Sequence, residues 1–290
     1  MKYLKYILVF VVILGFFYFF QADILRLFTQ FSNLEEIVQK VPSELAIEKI
    51  SKDISSPPPL RATKESSESF LTGSGIIIWT NIQRNAQGFL PLSENEQLHT
   101  VAVLKAQDMF EKQYFGHVSL SGADVGDLAE IAGYKFLAIG ENLALGNFED
   151  NQTVVQGWMD SPGHKANILS LRYTEVGVAA TRGIFEGKST WIVVQEFGLP
   201  LSVCLEPQES LRLQIEGSVT QLQELERELI AKQRELKLMR PKFGPKYNRK
   251  IDDYNALVVQ YNSFSNTTKE LLLRYNNQVK KFNACVLDRV

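Results

Sequence analysis

Two heptad series in the last third of the chain restrict its architecture more than any other feature. From residue 208, apolar side chains recur every seventh position at Ile215, Leu222, Leu229 and Leu236. A companion series runs Leu211, Ser218, Leu225, Lys232, Met239. After RPKFGPKYN the pattern restarts as Ile251, Val258, Ser265, Leu272 and Val279, beside Tyr254, Tyr261, Thr268, Tyr275 and Phe282. A sevenfold repeat puts an apolar stripe on a helix, and that stripe requires a partner helix. Pro241, Gly244 and Pro245 stop the first helix. The spacing therefore predicts an antiparallel helical (coiled-coil) hairpin over 204–285, with 286–290 left as a tail. Cys204 and Cys285 stand equally far from the Gly244–Pro245 break. Positions equidistant from the turn meet at the base of a hairpin, which predicts a Cys204–Cys285 disulfide.

A disulfide implies an oxidising compartment, and the N-terminus supplies a route to one. Residues 6–20 (YILVFVVILGFFYFF) hold no charge and follow Lys2 and Lys5. Fifteen helical residues span about 22 Å, short of a hydrocarbon core of about 30 Å. Tyr3, Leu4 and a snorkelling Lys5 extend the segment. A cleaved signal peptide is the competing reading, but Phe20 is bulky for the −3 position before a cut after Ala22. We therefore expect a cytoplasmic tip and single-pass anchor over 1–22, the N-terminus in the cytoplasm and the bulk of the chain outside the cell membrane. Apolar residues at Ile24, Leu27, Phe28, Phe31, Leu34, Val38 and Val41 predict a juxtamembrane helical stalk within 23–52. The Ser-, Pro- and Glu-rich stretch 53–75 reads as a linker.

Charge separates the parts again. The 290 residues carry a net charge of −2, yet residues 205–290 hold 15 Lys and Arg against 11 Asp and Glu. The overall balance excludes a general nucleic-acid binder. Two cysteines exclude a zinc site of four thiolates and a disulfide-rich scaffold. At the hairpin turn sit Arg240, Lys242, Lys246, Arg249 and Lys250. A solvated turn is the plain reading of that cluster, and contact with anionic wall polymer or lipid head groups the sharper one.

Between linker and hairpin, residues 76–199 combine helical and alternating patterns. A helix is expected from near Ile77 to Gly88. A second opens at Ser93 in capping-box style with Glu96 and Gln97, its apolar face running Leu98, Val101, Ala102, Met109. A third is capped by Asn151, with Val154, Val155 and Trp158 inside. Two alternating strands follow, Val176–Val178–Ala180 and Trp191–Val193–Gln195–Phe197. Helices followed by strands point to the α+β class. His117 (YFGHVSLSG) and His164 (WMDSPGHKANIL) lie in polar loop contexts, with Glu141 (GYKFLAIGENLA) between them in sequence. Ser161 reads as the N-cap of a helix with Pro162 at its first position, which places His164 in the first turn, where the dipole favours a neutral ring. That capping role is taken to account for Ser161 without a Ser–His dyad. His99 falls one residue off its apolar face and reads as a surface or boundary residue. Trp158 and Trp191 sit at core phase.

Asn81, Arg84 and Gly88 (N-x-x-R-x-x-x-G), followed in order by KAQDM, YFGH, GENLA, WMDSPGHKANIL, VGVA and VQEFG, resemble the CAP superfamily of cysteine-rich secretory, antigen 5 and pathogenesis-related proteins, in its bacterial SCP-like form. The resemblance covers residues 76–199. It implies an α-β-α sandwich whose surface cavity, in many members, holds two histidines and two acidic side chains and can bind a divalent metal such as zinc. His117, Glu141 and His164 match three of those positions. Where animal and plant members place a glutamate three residues after the tryptophan, this chain has Ser161, with Asp160 beside it; Glu196 on the last strand is another acidic candidate. Two histidines and a carboxylate with an open position suit a zinc-bound water, which makes Glu141 the candidate catalytic base of a metal-dependent hydrolase. The reading favoured over it is a binding module for a cell-wall, lipid or protein ligand. A third is a structural or adhesive spacer acting through the hairpin.

Overall fold

A computed structural model of the chain describes residues 53–289. The expected anchor (1–22) and stalk (23–52) lie outside the described residues. The chain divides into two compact units, one holding described residues 53–205 and 282–289, the other 206–281.

The first unit is built on a six-stranded mixed sheet. Its strands are β1 (Asp53–Ser55), β2 (Leu60–Arg61), β3 (Ser93–Glu94), β4 (Phe136–Leu145), β5 (Glu175–Phe185) and β6 (Lys188–Pro200). The order is β1-β4-β6-β5-β3, with β2 also on β4. Strands β4, β6 and β5 pair antiparallel; β1, β2 and β3 add parallel at the edges. Helices α1 (Gly73–Ala86), α2 (Glu96–Lys112), α3 (Val125–Ile131), α4 (Asn151–Met159) and α5 (Pro162–Ile168) surround it. On one face Ala102, Ala106 and Met109 of α2 pack on Leu143, Ile192 and Val194. Beside them Leu98 and Val101 meet Val125 and Ala129 of α3 and Ile139 of β4. On the other face Thr80 of α1 accepts from Gln195 of β6, and the Trp158 indole of α4 donates to the Leu143 carbonyl. Helices cover both faces of the sheet, so its central strands are buried throughout.

Three helix starts differ from the sequence reading, each because a better oxygen lies nearby. Thr72 caps α1 through the Gly75 amide, four residues before the expected start. Asn95, not Ser93, caps α2, since Ser93 is drawn into the short parallel strand β3. Asp150 caps α4 and Asn151 becomes its first residue, leaving the Asn151 amide oxygen to accept from the Thr72 backbone. Asn81 and Arg84 are structural. Asn81 brackets the Leu92 amide and carbonyl. Arg84, 3% exposed, donates to the carbonyls of Leu90, Ile168 and Ser170 and so ties α1 to the end of α5.

The stretch read as a linker is the largest correction. Residues 53–55 and 60–61 extend the sheet along β4, opposite residues 138–140 and 144–145. The run Ser56–Pro57–Pro58–Pro59 between them cannot donate ladder hydrogen bonds from its prolines, so it bulges off the edge. That leaves Glu141–Leu143 without a strand partner on this side, and side chains take over: Asn167 donates to the Glu141 carbonyl at 3.4 Å and Trp158 to that of Leu143 at 3.2 Å. Composition alone suggested a spacer; edge pairing of residues 53–55 and 60–61 overrides it.

After a 3₁₀ turn at Leu201–Val203 come α6 (Glu209–Leu238) and α7 (Pro245–Arg289). In the second unit, Leu222, Leu225 and Leu229 pack with Tyr254, Leu257 and Tyr261, and Leu211 and Ile215 with Leu271, Leu272, Tyr275 and Val279. The pairing runs antiparallel. The two polar seam residues of α7, Ser265 and Thr268, are buried, and the Thr268 hydroxyl is satisfied by the Phe264 carbonyl of its own helix. Cys204 and Cys285 form a disulfide with their Cα atoms 5.7 Å apart. The expected tail is helical through Arg289.

Candidate functional site

Glu141 and Glu196 stand directly opposite one another across the β4–β6 pair. Opposed residues of an antiparallel pair point to the same side, and both carboxyls are fully buried. His117, in the loop after α2, places Nδ1 2.5 Å from Glu141 Oε1. Its Nε2 meets the Pro57 carbonyl. The loop is held there by Lys105 of α2. This lysine is 1% exposed and donates to the His117 carbonyl and, at 3.5 Å, to the Tyr114 hydroxyl, which donates to Asp108 at 2.6 Å. Lys105 is a member of the cluster that the sequence reading did not single out. The signal is its phase: it follows Val101 by one helical turn and precedes Met109 by another, on the buried stripe.

The second histidine approaches from the other face. Asn142, Asn167 and Gln195 form a buried amide chain, Asn167 Nδ2 to Asn142 Oδ1 at 3.0 Å and Asn142 Nδ2 to Gln195 Oε1 at 3.2 Å. Asn142 also donates to the His164 carbonyl, which fixes the start of α5 against the sheet. The His164 ring packs on Trp158, with centroids 6.5 Å apart, and Nδ1 lies 2.8 Å from Ser161 Oγ. Ser161 does occupy the N-cap position, but its side chain makes no capping bond. Its hydroxyl serves His164 instead, which corrects the sequence reading.

Electrostatics follow from burial. Loss of solvent and the proximity of His117 hold the His164 ring down at about 4, so it is neutral in ordinary solution. Burial, then the charge of Glu141 and a hydrogen bond to it, push the Glu196 carboxyl well above the usual range, against the opposing pull of Lys105. Neither Glu196 oxygen nor Glu141 Oε2 meets a protein donor. Two opposed carboxyls without donors satisfy each other by sharing one proton. His117 faces two acceptors, a carboxylate and a carbonyl. It satisfies both by donating from both nitrogens, or by donating to Pro57 and taking the proton of Glu141.

That hydrogen bonding bears on metal binding. A ligating imidazole needs a free lone pair, and in this arrangement neither His117 nitrogen has one to spare. Among the described residues, no group of three or more His, Cys, Asp or Glu is placed to hold a metal ion. Asp160 points away, accepting from Gln156 at the exposed end of α4. The residues as arranged do not fit a preassembled metal centre. They form a closed polar cluster in which His117, Glu141 and Glu196 touch in sequence, with His164 close enough to feel His117.

A strap closes it. Pro57 is buried, the Ser55 carbonyl accepts from Asn167 at 3.4 Å, and a Cβ on Gly163 would come within 2.6 Å of Pro57 Cβ. An open groove of about 390 Å³ lies elsewhere, lined by Ile77, His99, Val103 and Val178, and includes no member of the cluster. Beside it His99 is exposed, as expected, with Nδ1 2.9 Å from the Val178 carbonyl.

Residues 79–197 match the CAP (cysteine-rich secretory protein) family. Over 116 residues the chain is 37% identical to the uncharacterized protein YkwD of Bacillus subtilis, covering 40% of this chain and 43% of that one. Over 107 residues it is 35% identical to the uncharacterized membrane protein YlbC of the same organism, covering 37% and 31%. The chain thus spans less than half the length of these relatives. Among solved structures, an extracellular SCP-domain protein of Bacillus anthracis aligns at 29% identity and a TM-score of 0.38, covering 43% of this chain and 39% of that one. An outer surface protein of Borrelia burgdorferi aligns at 21% identity and a TM-score of 0.37, covering 43% and 90%.

Proposed function

We propose that this chain, with its CAP-family segment at 79–197, is a membrane-held extracytoplasmic binding protein whose ligand site is the cluster His117–Glu141–Glu196–His164. The uncharged run at 6–20, the disulfide and a relative named as a membrane protein support the location. The observation that carries the binding reading is what stays unpartnered once the two carboxyls share their proton: one buried Glu196 oxygen and the buried His164 Nε2. Unpartnered buried polar atoms cost stability. A ligand bearing amine or hydroxyl donors recovers that cost once the Ser55–Pro59 strap lifts off His117. Amino sugars and short peptides of cell wall have this chemistry.

Hydrolysis is the weaker reading. A base works best with a pKa near the operating pH, and His164, the partner of Ser161, is held down at about 4. A divalent ion requires a lone pair on His117, which only strap displacement supplies.

Gly163→Val is the direct probe, because its side chain would occupy the place of Pro57. Binding of purified cell-wall fragments should strengthen in Gly163→Val and vanish in Glu141→Gln, with no fragment cleaved. Zinc titrated calorimetrically into the same proteins separates the metal reading: heat with Gly163→Val that disappears with His117→Ala would establish it. Unchanged fragment binding in both variants overturns the proposed site.

A further inference from the structure

The hairpin turn has a composition that its own fold does not require. Residues 237–250 contain six basic side chains, Lys237, Arg240, Lys242, Lys246, Arg249 and Lys250, and no acidic one. Some have local work. Arg240 donates to the carbonyls of Lys237 and Met239 and closes the end of α6. Lys250 pairs with Glu235 at 3.0 Å. Lys242 and Lys246 make no ion pair among the described residues. At the end of α6 cations complement the helix dipole, but at the start of α7 they oppose it. The first turn of α7 nonetheless holds no acidic residue, while Lys246, Arg249 and Lys250 fill its first two turns. Internal stability argues against that arrangement, so these charges call for an external anion.

Two apolar side chains stand among them. Leu238 is 82% exposed and Phe243 75% exposed. Neither joins the seam, whose outermost buried leucine on α6 is Leu229. Single exposed apolar residues need no explanation. Here a leucine and a phenylalanine flank the turn within a run of six cations, the composition of surfaces that seat in a bilayer interface.

We infer that the α6–α7 turn docks on an anionic phospholipid surface, with Leu238 and Phe243 entering the boundary between head groups and acyl chains and Lys242, Lys246 and Arg249 meeting lipid phosphates. A bilayer is favoured over a soluble polyanion because a polyanion in water leaves Leu238 and Phe243 wet, whereas the interface buries both. The attraction is screened beyond about 10 Å at ordinary ionic strength, so high salt should release it. Removing two cations should weaken partition about thirtyfold.

The test uses the full chain held in neutral phosphatidylcholine nanodiscs, with an environment-sensitive fluorophore at Asn248→Cys; the native cysteines are occupied by their disulfide. It is titrated with vesicles of phosphatidylcholine alone or mixed with phosphatidylglycerol. The expected result is a blue shift, quenched by spin-labelled lipid, on the anionic vesicles only and reversed by salt. Lys242→Ala with Lys246→Ala should weaken it about thirtyfold, and Phe243→Ser should weaken it further. The comparison of the two vesicle types on the otherwise unaltered chain needs no charge variant, so it stands even if a tip substitution disturbs folding. No shift on either vesicle, an equal shift on both, or a shift with soluble polyphosphate that matches the vesicles and escapes lipid quenching would each overturn the inference.

Discussion

Replacing Glu196 by glutamine should stabilise the protein, and by an amount that grows with pH. Glu196 is fully buried and keeps its proton in the fold, while in the unfolded chain it titrates at its ordinary value of 4.5. Above pH 4.5 the unfolded state therefore releases a proton that the folded state holds. Stability from this group is complete below pH 4.5 and is lost as pH rises, by about 1.4 kcal/mol per unit while the carboxyl pair keeps its proton. Between pH 5 and pH 7 the loss is at most about 3 kcal/mol, the limit in which the pair keeps its proton throughout. Glutamine supplies an N–H donor towards Glu141 in place of the shared carboxyl proton and cannot ionise, so it removes the loss without removing the contact. Guanidinium unfolding of both proteins at pH 5 and pH 7 gives the double difference, in which titrating groups remote from the pair cancel. A variant that gains about 2 to 3 kcal/mol over the parent between the two pH values supports a shared proton. The same offset at both would refute it, because an ionised Glu196 has no linkage to lose.

His164 carries the opposite sign. Its folded value of about 4 lies below the ordinary 6.5, so its contribution is present above pH 6.5 and is lost as pH falls towards 4. His164→Gln should therefore flatten acid destabilisation over that window by about 3 kcal/mol, seen in the pH dependence of the unfolding midpoint. Paired Cys204→Ser and Cys285→Ser should lower stability by about 4.5 kcal/mol, since the bond closes a loop with a sequence separation of 81; denaturant curves of the parent with and without reductant should show the same difference. Arg84→Ala leaves three carbonyls, one in a fully buried bond, without their charged donor and should cost roughly 3 to 5 kcal/mol. Its thermal midpoint should fall accordingly, with the His117–Glu141 contact unaffected.

The hairpin and its disulfide were legible because a sevenfold repeat and a symmetric cysteine pair are local signals that fix a long-range contact. The central helices and the strands β5 and β6 were legible for the same reason, through periodicity. Strand β4 was not, because buried on both faces it shows no alternation; Gly140, Glu141 and Asn142 look like a turn in sequence. Strands β1 and β2 of the 53–75 segment were hidden by the prolines between them. His117, Glu141 and His164 could be named from motif order, but their roles depended on distant partners. Pro57 lies 60 residues from His117, and Glu196 pairs with Glu141 only through strand register. Lys105 was visible only as a polar residue in an apolar phase.

The central claim is that His117 and His164 belong to one closed cluster organised by the buried Glu141. The chain has only three histidines, so imidazole nitrogen and carbon resonances of the labelled full-length protein resolve each ring through a pH titration. The account predicts that His164 stays neutral down to about pH 4, and that Glu141→Gln shifts the His117 nitrogens strongly while leaving those of His99 in place. A His164 ring that titrates at its ordinary value, with His117 indifferent to Glu141→Gln, would contradict it.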